Sequence, residues 1–308
     1  MEQSLEVRVP SSESLDNSLV VRNPYHFFHR RRSTPGVRCG TLGYNIQGLS
    51  FHAQAVLVMT QKMSLPSSIS PCPLVDALVE VRFDASVLPG AVFGMIYEKL
   101  SETFPKAIQL QAATVPEEIR RLNPVLLYQP QFRLEAEKFV ALIGSNMFAV
   151  GMLGEYPGWP SLSAGFKRTL AVLEKTHVIK TVHRFGLHYV NYFGRNILDD
   201  LTLRFFIKES PVQGESTLFK TVLPGDGYRM QVQVLTDLKV TPQFPSQKID
   251  PNVLASLIDI DCYQDFPADG SELLPAVDDF MEAAHAGEKR LFFSLLTDDF
   301  LKTLNPKY

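Results

Sequence analysis

From Leu74 to Phe83 the chain alternates almost without a break. Val75, Ala77, Val79, Val81 and Phe83 fall on one side, while Asp76, Glu80 and Arg82 fall on the other. Tyr228 to Leu235 repeats the pattern, with Tyr228, Met230, Val232 and Val234 set against Arg229, Gln231 and Gln233. A period of two is the side-chain repeat of a β-strand, and the polar half of each repeat means that one sheet face is wet. Parallel strands are covered on both faces and read as continuous apolar runs, so this alternation points to antiparallel pairing.

The remaining strands and turns fit the same sheet. Thr181 to Phe193 is dense in aromatic and β-branched residues, and Leu254 to Cys262 is a further strand. Phe132 to Leu153 reads as a hairpin about Gly144-Ser145-Asn146. Ser216 to Leu223 and Tyr228 to Leu235 form another about Pro224-Gly225-Asp226-Gly227. Asp199-Asp200 is placed to cap a helical or extended stretch through Phe206.

Helical spacing occurs in four places. Pro89-Gly90 opens a helix bearing Phe93, Ile96, Tyr97, Leu100 and Phe104, closed by Pro105. Pro160-Ser161 opens a second with Leu162, Phe166, Leu170 and Leu173 on one side. Ser271-Glu272 opens a third with Leu274, Val277, Phe280, Met281 and Ala284 inward, interrupted at Gly287. The fourth runs from Glu288 to Leu304. These elements predict an α+β protein, an antiparallel sheet packed on one side by helices. Their order suggests two loosely repeated β-α-β-β-α halves, 70–176 and 177–308.

The first part of the chain differs. Met1 to Lys62 carries seven Lys+Arg and four acids, leaving 23 and 29 for the remainder, so the two parts are about +3 and -6. No sustained period of 2 or 3.6 appears there. The segment reads as a poorly ordered extension, upstream of a natural start at Met59 or Met63. The alternative is a basic arm, Arg30, Arg31 and Arg32 behind His29, that touches nucleic acid or a partner. From Met63 onward a single α+β domain is expected.

Composition excludes some classes. The 308 residues are 45% hydrophobic and 20% charged, ample for a core. A net charge of -3 argues against bulk electrostatic binding of nucleic acid, the basic stretch apart. The longest membrane candidate, Ala53 to Met59, is far shorter than the roughly 18 residues a spanning helix needs. Neither a leader pattern nor a paired-cysteine pattern is seen. Cys39, Cys72 and Cys262 fit ordinary reduced thiols, and a cytoplasmic protein without membrane attachment is expected.

No phosphate-loop, dinucleotide, zincin or nucleophile-elbow motif occurs, so no catalytic residue, cofactor or metal site is assigned and binding is favoured over catalysis. His183 and His188 lie five apart on one strand, face opposite ways and cannot share a metal. Asp259 and Asp261, about 7 Å apart on one strand face, would hold a divalent cation only if Glu80 or another carboxylate joined them. Glu80, Arg82 and Arg184 are the sharper cluster. An acid and two arginines facing a cavity could grip an anion, or form a buried ion-pair network with Glu80 as the partner of Arg184. Phe293 and Leu296, on a helix apolar around much of its girth, are candidates for an exposed association surface.

Three segments together resemble a known family. They are Pro73 to Phe83, Arg184 to Asn191, and His285-Ala286-Gly287-Glu288-Lys289-Arg290-Leu291-Phe292-Phe293 followed by Leu296-Thr297; Trp159 after Tyr156-Pro157-Gly158 also fits. The family is sporadically distributed in prokaryotes, about 250 residues long and without assigned function, and the resemblance spans roughly 71–304. His188 stands where the family more often has Arg. The resemblance implies an accessory or defence-associated role and no particular reaction. The function expected is therefore partner binding or self-association, as the neutralising or sensing component of a toxin–antitoxin or phage-defence locus. The alternative is an enzyme or sensor that takes a phosphorylated small molecule in a sheet-lined cavity through Glu80, Arg82, Arg184, Asp259 and Asp261.

Overall fold

The computed structural model describes residues 18–20, 64–212, 216–241, 249–250, 252–266 and 274–308. Most of the N-terminal extension, Arg30, Arg31, Arg32 and Cys39 included, lies outside the described residues. Within it one short strand is present, β1 (Ser18–Val20), parallel to the end of a later strand.

The chain continues through β2 (Leu74–Ala85), α1 (Pro89–Leu100), β3 (Lys106–Gln109), α2 (Glu117–Leu122) and α3 (Pro124–Leu127). A meander follows, β4 (Phe132–Glu135), β5 (Phe139–Ile143) and β6 (Met147–Met152), then α4 (Trp159–Glu174). The second half has β7 (Ile179–Phe193), a small ribbon β8 (Phe206–Ile207) and β9 (Ser210–Pro211), and a second meander, β10 (Leu218–Pro224), β11 (Arg229–Thr241) and β12 (Leu254–Asp265). The long helix α5 (Leu274–Leu295) and the short α6 (Asp298–Thr303) close the chain.

The main sheet has the order β1-β11-β12-β7-β2-β6-β5-β4-β3, with β10 also on β11, and every pairing except that of β1 is antiparallel. This is the expected α+β class. In the first half β2 is followed by α1 and an antiparallel run, β3 to β6, whose last member returns to pair with β2; in the second half β7 is followed by the run β10 to β12, whose last member returns to pair with β7. A long helix follows each unit, and β2 and β7 lie antiparallel at the centre. The expected hairpin at Phe132 to Leu153 is three strands because the chain also turns at Ala136-Glu137-Lys138, where no glycine or proline marks a turn.

One sheet face carries the main core. Ala77, Val79, Val81 and Phe83 of β2 meet Leu187 and Tyr189 of β7, Phe148 and Val150 of β6, and Ile258 and Ile260 of β12, all buried. The helices cover this face: Val92, Ile96 and Leu100 of α1, the predicted Leu162, Phe166, Leu170 and Leu173 of α4, and Val277, Phe280, Met281 and Ala284 of α5. Leu78 lies in a smaller cluster on the opposite face, and Val75 in another, not on the side of Ala77 where simple alternation put it, because the register shifts between Leu74 and Asp76. His183 does not share a face with Phe185 and Leu187 as strict alternation requires. Arg82 pairs with Arg184 and Phe83 with Val182, so His183 is the extra residue of a bulge and lies 2.9 Å from Asp84 Oδ2.

Gly287 does not interrupt α5, which runs unbroken across it. The glycine is there for space. A Cβ at that point would lie 1.9 Å from Tyr228 Oη, and one at Gly225 would lie 2.5 Å from the same tyrosine ring. The buried Tyr228 is thus seated between two glycines. Gly287→Ala is expected to lower stability by about 1–2 kcal/mol, because overpacking exceeds the roughly 1 kcal/mol gained in helix propensity. Urea unfolding measures this, and adding Tyr228→Phe should recover part of the loss. A more stable Gly287→Ala protein would show that the tyrosine has room to move. The true end of the long helix comes at Leu296-Thr297, where the Thr297 hydroxyl caps α6 by accepting from Phe300 N–H.

Phe293 and Leu296 are not exposed. They are 6% and 4% accessible and belong to the core. Sheet and neighbouring elements cover the broad apolar girth of this helix on more than one side, which removes the expected exposed patch. Among the described residues no helix is long and apolar enough to cross a membrane.

Candidate functional site

The five residues singled out from the sequence lie on the sheet face away from the helices, on the adjacent strands β2, β7 and β12. The structure brings them together, but in different pairs. Arg82 Nε donates to Glu80 Oε1 at 2.5 Å, and Arg184 Nη2 donates to Asp261 Oδ2 at 2.5 Å. Glu80 is therefore not the partner of Arg184. The register explains this, since Arg82 and Arg184 stand directly opposite each other. Like charges across a ladder repel, so each guanidinium turns away to a carboxylate of its own. Each also stacks, Arg184 over Tyr263 at 3.8 Å and Arg82 over Tyr128 at 4.8 Å.

Asp259 joins His188. His188 Nε2 is 2.7 Å from Asp259 Oδ1, and Gln233 Nε2 donates to Asp259 Oδ2 at 3.4 Å. Burial works to lower the His188 pKa, but the charge and hydrogen bond of Asp259 outweigh it and raise it to about 9. The imidazole is therefore charged at neutral pH. Asp76, half-buried nearby, has its pKa raised by desolvation. Acids and bases on this face thus meet as ion pairs, an arrangement that fixes strand register and does not leave an open anion clamp. Among the described residues no group of three or more His, Cys, Asp and Glu side chains could hold a metal ion.

The helical side of the sheet carries a cavity of about 610 Å³. Its walls come from four places far apart in sequence: the segment Pro66 to Leu74, the turn Tyr156 to Pro160, Tyr189 and Asn191 of β7, and one face of α5. The helix contributes His285, Glu288, Lys289, Phe292 and Phe293, whose spacing of three and four residues places them along one side. Gly158, at φ 83°, turns the chain into α4 and sets Trp159 at the cavity wall. The His285 ring lies flat on Trp159, with centroids 4.3 Å apart and planes 11° from parallel. Trp159 Nε1 donates to Glu282 Oε2 at 3.2 Å.

A row of polar atoms crosses this aromatic wall. Tyr156 Oη is 3.2 Å from Tyr189 Oη, which is 3.3 Å from His285 Nδ1. Burial pushes the Tyr156 hydroxyl up to about 12 and raises that of Tyr189 well above its ordinary value. Burial, aided by the charge of Lys289, pushes His285 down to about 4, so this imidazole is neutral where His188 is charged.

Glu288 is the odd member. It is 6% accessible, and burial raises its carboxyl pKa to about 8 against the opposing pull of Lys289. Among the described residues it has no hydrogen bond and no ion pair, and Lys289 has none either. Its carboxyl oxygens are not among the fully buried unpartnered atoms of the described residues, and the side chain lines the cavity.

Sequence reasoning gave no role to His285, Glu288, Lys289, Tyr156, Trp159 or Tyr189, although all lie in the segments that carry the family resemblance. The available signal was the interruption of an inward helical stripe: a histidine, a glutamate and a lysine at i, i+3 and i+4 sit between Ala284 and Leu291, both buried. Comparison of the chain with models of known families, with curated proteins and with solved structures gives no match.

Proposed function

We propose that this protein binds a small organic molecule in the cavity between α5 and the Pro66 to Leu74 segment. The observation that carries this reading is the carboxyl of Glu288, on a residue only 6% accessible and without a hydrogen bond among the described residues, at the wall of an aromatic-lined space of about 610 Å³. Ligand sites of roughly 300–1,000 Å³ with apolar walls and a few convergent polar groups are the usual form of such pockets. Tyr156, Trp159, Tyr189, Phe292 and Phe293 supply flat apolar surface, and Glu288, Lys289, His285 and Asn191 supply polar groups. The ligand on this reading has a planar body and polar atoms at one end.

This is the small-molecule alternative raised from the sequence, moved to the other face of the sheet. The partner-binding reading loses its candidate surface, since Phe293 and Leu296 are buried. A phosphorylated ligand loses its expected contacts, since Arg82 and Arg184 are committed to Glu80 and Asp261.

Trp159 is the chain's single tryptophan, so its fluorescence reports on this cavity alone. A screen of planar, polar-ended small molecules against the full chain is expected to yield compounds that change Trp159 emission and raise the melting temperature together. Saturation at 100 times Kd adds about 2.7 kcal/mol of stability, a shift of several degrees. A screen in which no compound moves either signal overturns the proposal.

A further inference from the structure

Glu288 and Lys289 are neighbours in sequence, both line the cavity, and neither has a hydrogen-bond or ion-pair partner among the described residues. They do not pair with each other. Each leaves one demand on whatever enters: a cation or strong donor beside the carboxyl, and an anion or strong acceptor beside the ammonium. A purely cationic ligand would satisfy Glu288 and be repelled by Lys289. A purely anionic ligand would satisfy Lys289 but leave the carboxyl protonated, without the second ion pair that an ammonium supplies. We infer that the cavity takes a zwitterion of the α-amino-acid type with a planar side chain, its ammonium toward Glu288 and its carboxylate toward Lys289.

The walls suit both parts of such a molecule. Ring faces attract an ammonium, and Tyr156, Trp159 and Tyr189 line the cavity that Glu288 also lines. Flat surface is available to the side chain at Phe292 and Phe293, and about 610 Å³ accommodates an aromatic amino acid. The raised pKa of Glu288, caused by burial against the opposing charge of Lys289, agrees with this geometry, because a bound ammonium would offset that cost. The inference rests on the small-molecule reading above and names its ligand class.

Isothermal titration of the full chain with L-phenylalanine, L-tyrosine and L-tryptophan, each beside its decarboxylated and its deaminated analogue, tests this. The amino acids are expected to bind on the order of 10-fold or more tightly than either analogue, the usual worth of one charge-assisted contact. Glu288→Gln should abolish the preference over the deaminated acid, and Lys289→Met the preference over the amine. An analogue that binds the wild-type protein as well as its parent amino acid overturns the inference without recourse to variants. If none of these compounds binds but other planar molecules move Trp159 emission, the zwitterion falls and the cavity reading stands. If nothing binds, both fall.

Discussion

Asp259→Ala is expected to lower stability by about 3 kcal/mol, the lower end of what breaking a buried ion pair costs. The loss comes from what stays behind. His188 is buried, 6% accessible at its side chain, and without Asp259 its charge has no acceptor at 2.7 Å. Its Nδ1 already lacks a partner among the described residues. The double variant with His188→Leu should cost less than the sum of the single changes, because it removes the stranded charge. The pair also sets a pH window. His188 titrates at about 9 in the folded chain, above its ordinary value of 6.5. The stability it contributes is therefore complete below about 6.5, declines as pH rises and is lost above about 9. Urea unfolding between pH 6 and 9.5 should show the wild-type protein and Asp259→Ala converging at the alkaline end. Additive losses with no convergence would mean that the two side chains do not act together.

The second large effect is at Glu288, and it makes a variant more stable than the parent. The carboxyl titrates at about 8 when folded against an ordinary value of 4.5, so the folded chain holds a proton that the unfolded chain releases. Stability from this group is intact below about 4.5, falls as pH rises and is fully lost above about 8, a difference of about 5 kcal/mol. Glu288→Gln keeps the shape and cannot ionise, so its unfolding free energy should lack this slope. The variant and the parent should be close at pH 4.5, with the variant the more stable at pH 8.5 by several kcal/mol. His285 works in another window: with a folded pKa of about 4, its contribution is present above about 6.5 and lost as pH falls through 4. It is common to both proteins, as is His188, so the difference between their curves isolates Glu288. Parallel curves would show that Glu288 is solvated or paired in the folded state.

These effects arise on two faces of one sheet, and the faces differ in how far the sequence exposed them. The alternation of Val79, Val81 and Phe83 with Glu80 and Arg82 located the strand, its buried side and the residues of the polar side. The stripe of Leu162, Phe166, Leu170 and Leu173 located α4 in the same way. Turns carrying glycine or asparagine, at Gly144 to Asn146 and Gly225 to Gly227, were legible. The turn at Ala136 to Lys138 was not, because nothing in its composition departs from that of a strand or helix. Gly287 misled for the opposite reason: glycine is a poor helix former, yet here the helix continues and the missing side chain makes room for Tyr228 from another strand.

What the sequence by itself determined was local: which segments extend or coil, and which side of each meets the core. That follows because side-chain direction repeats every two residues in a strand and every 3.6 in a helix, whatever lies beyond. Partnership was decided only by the tertiary structure. Arg184 meets Asp261 and not Glu80 because β12 lies on one side of β7 and β2 on the other, with Arg82 directly opposite. Phe293 and Leu296 are buried because sheet and helices close around them. The cavity exists because Pro66 to Leu74, Tyr156 to Pro160, β7 and α5 converge from more than 200 residues apart. Strand order and register set such meetings, and no local periodicity encodes them.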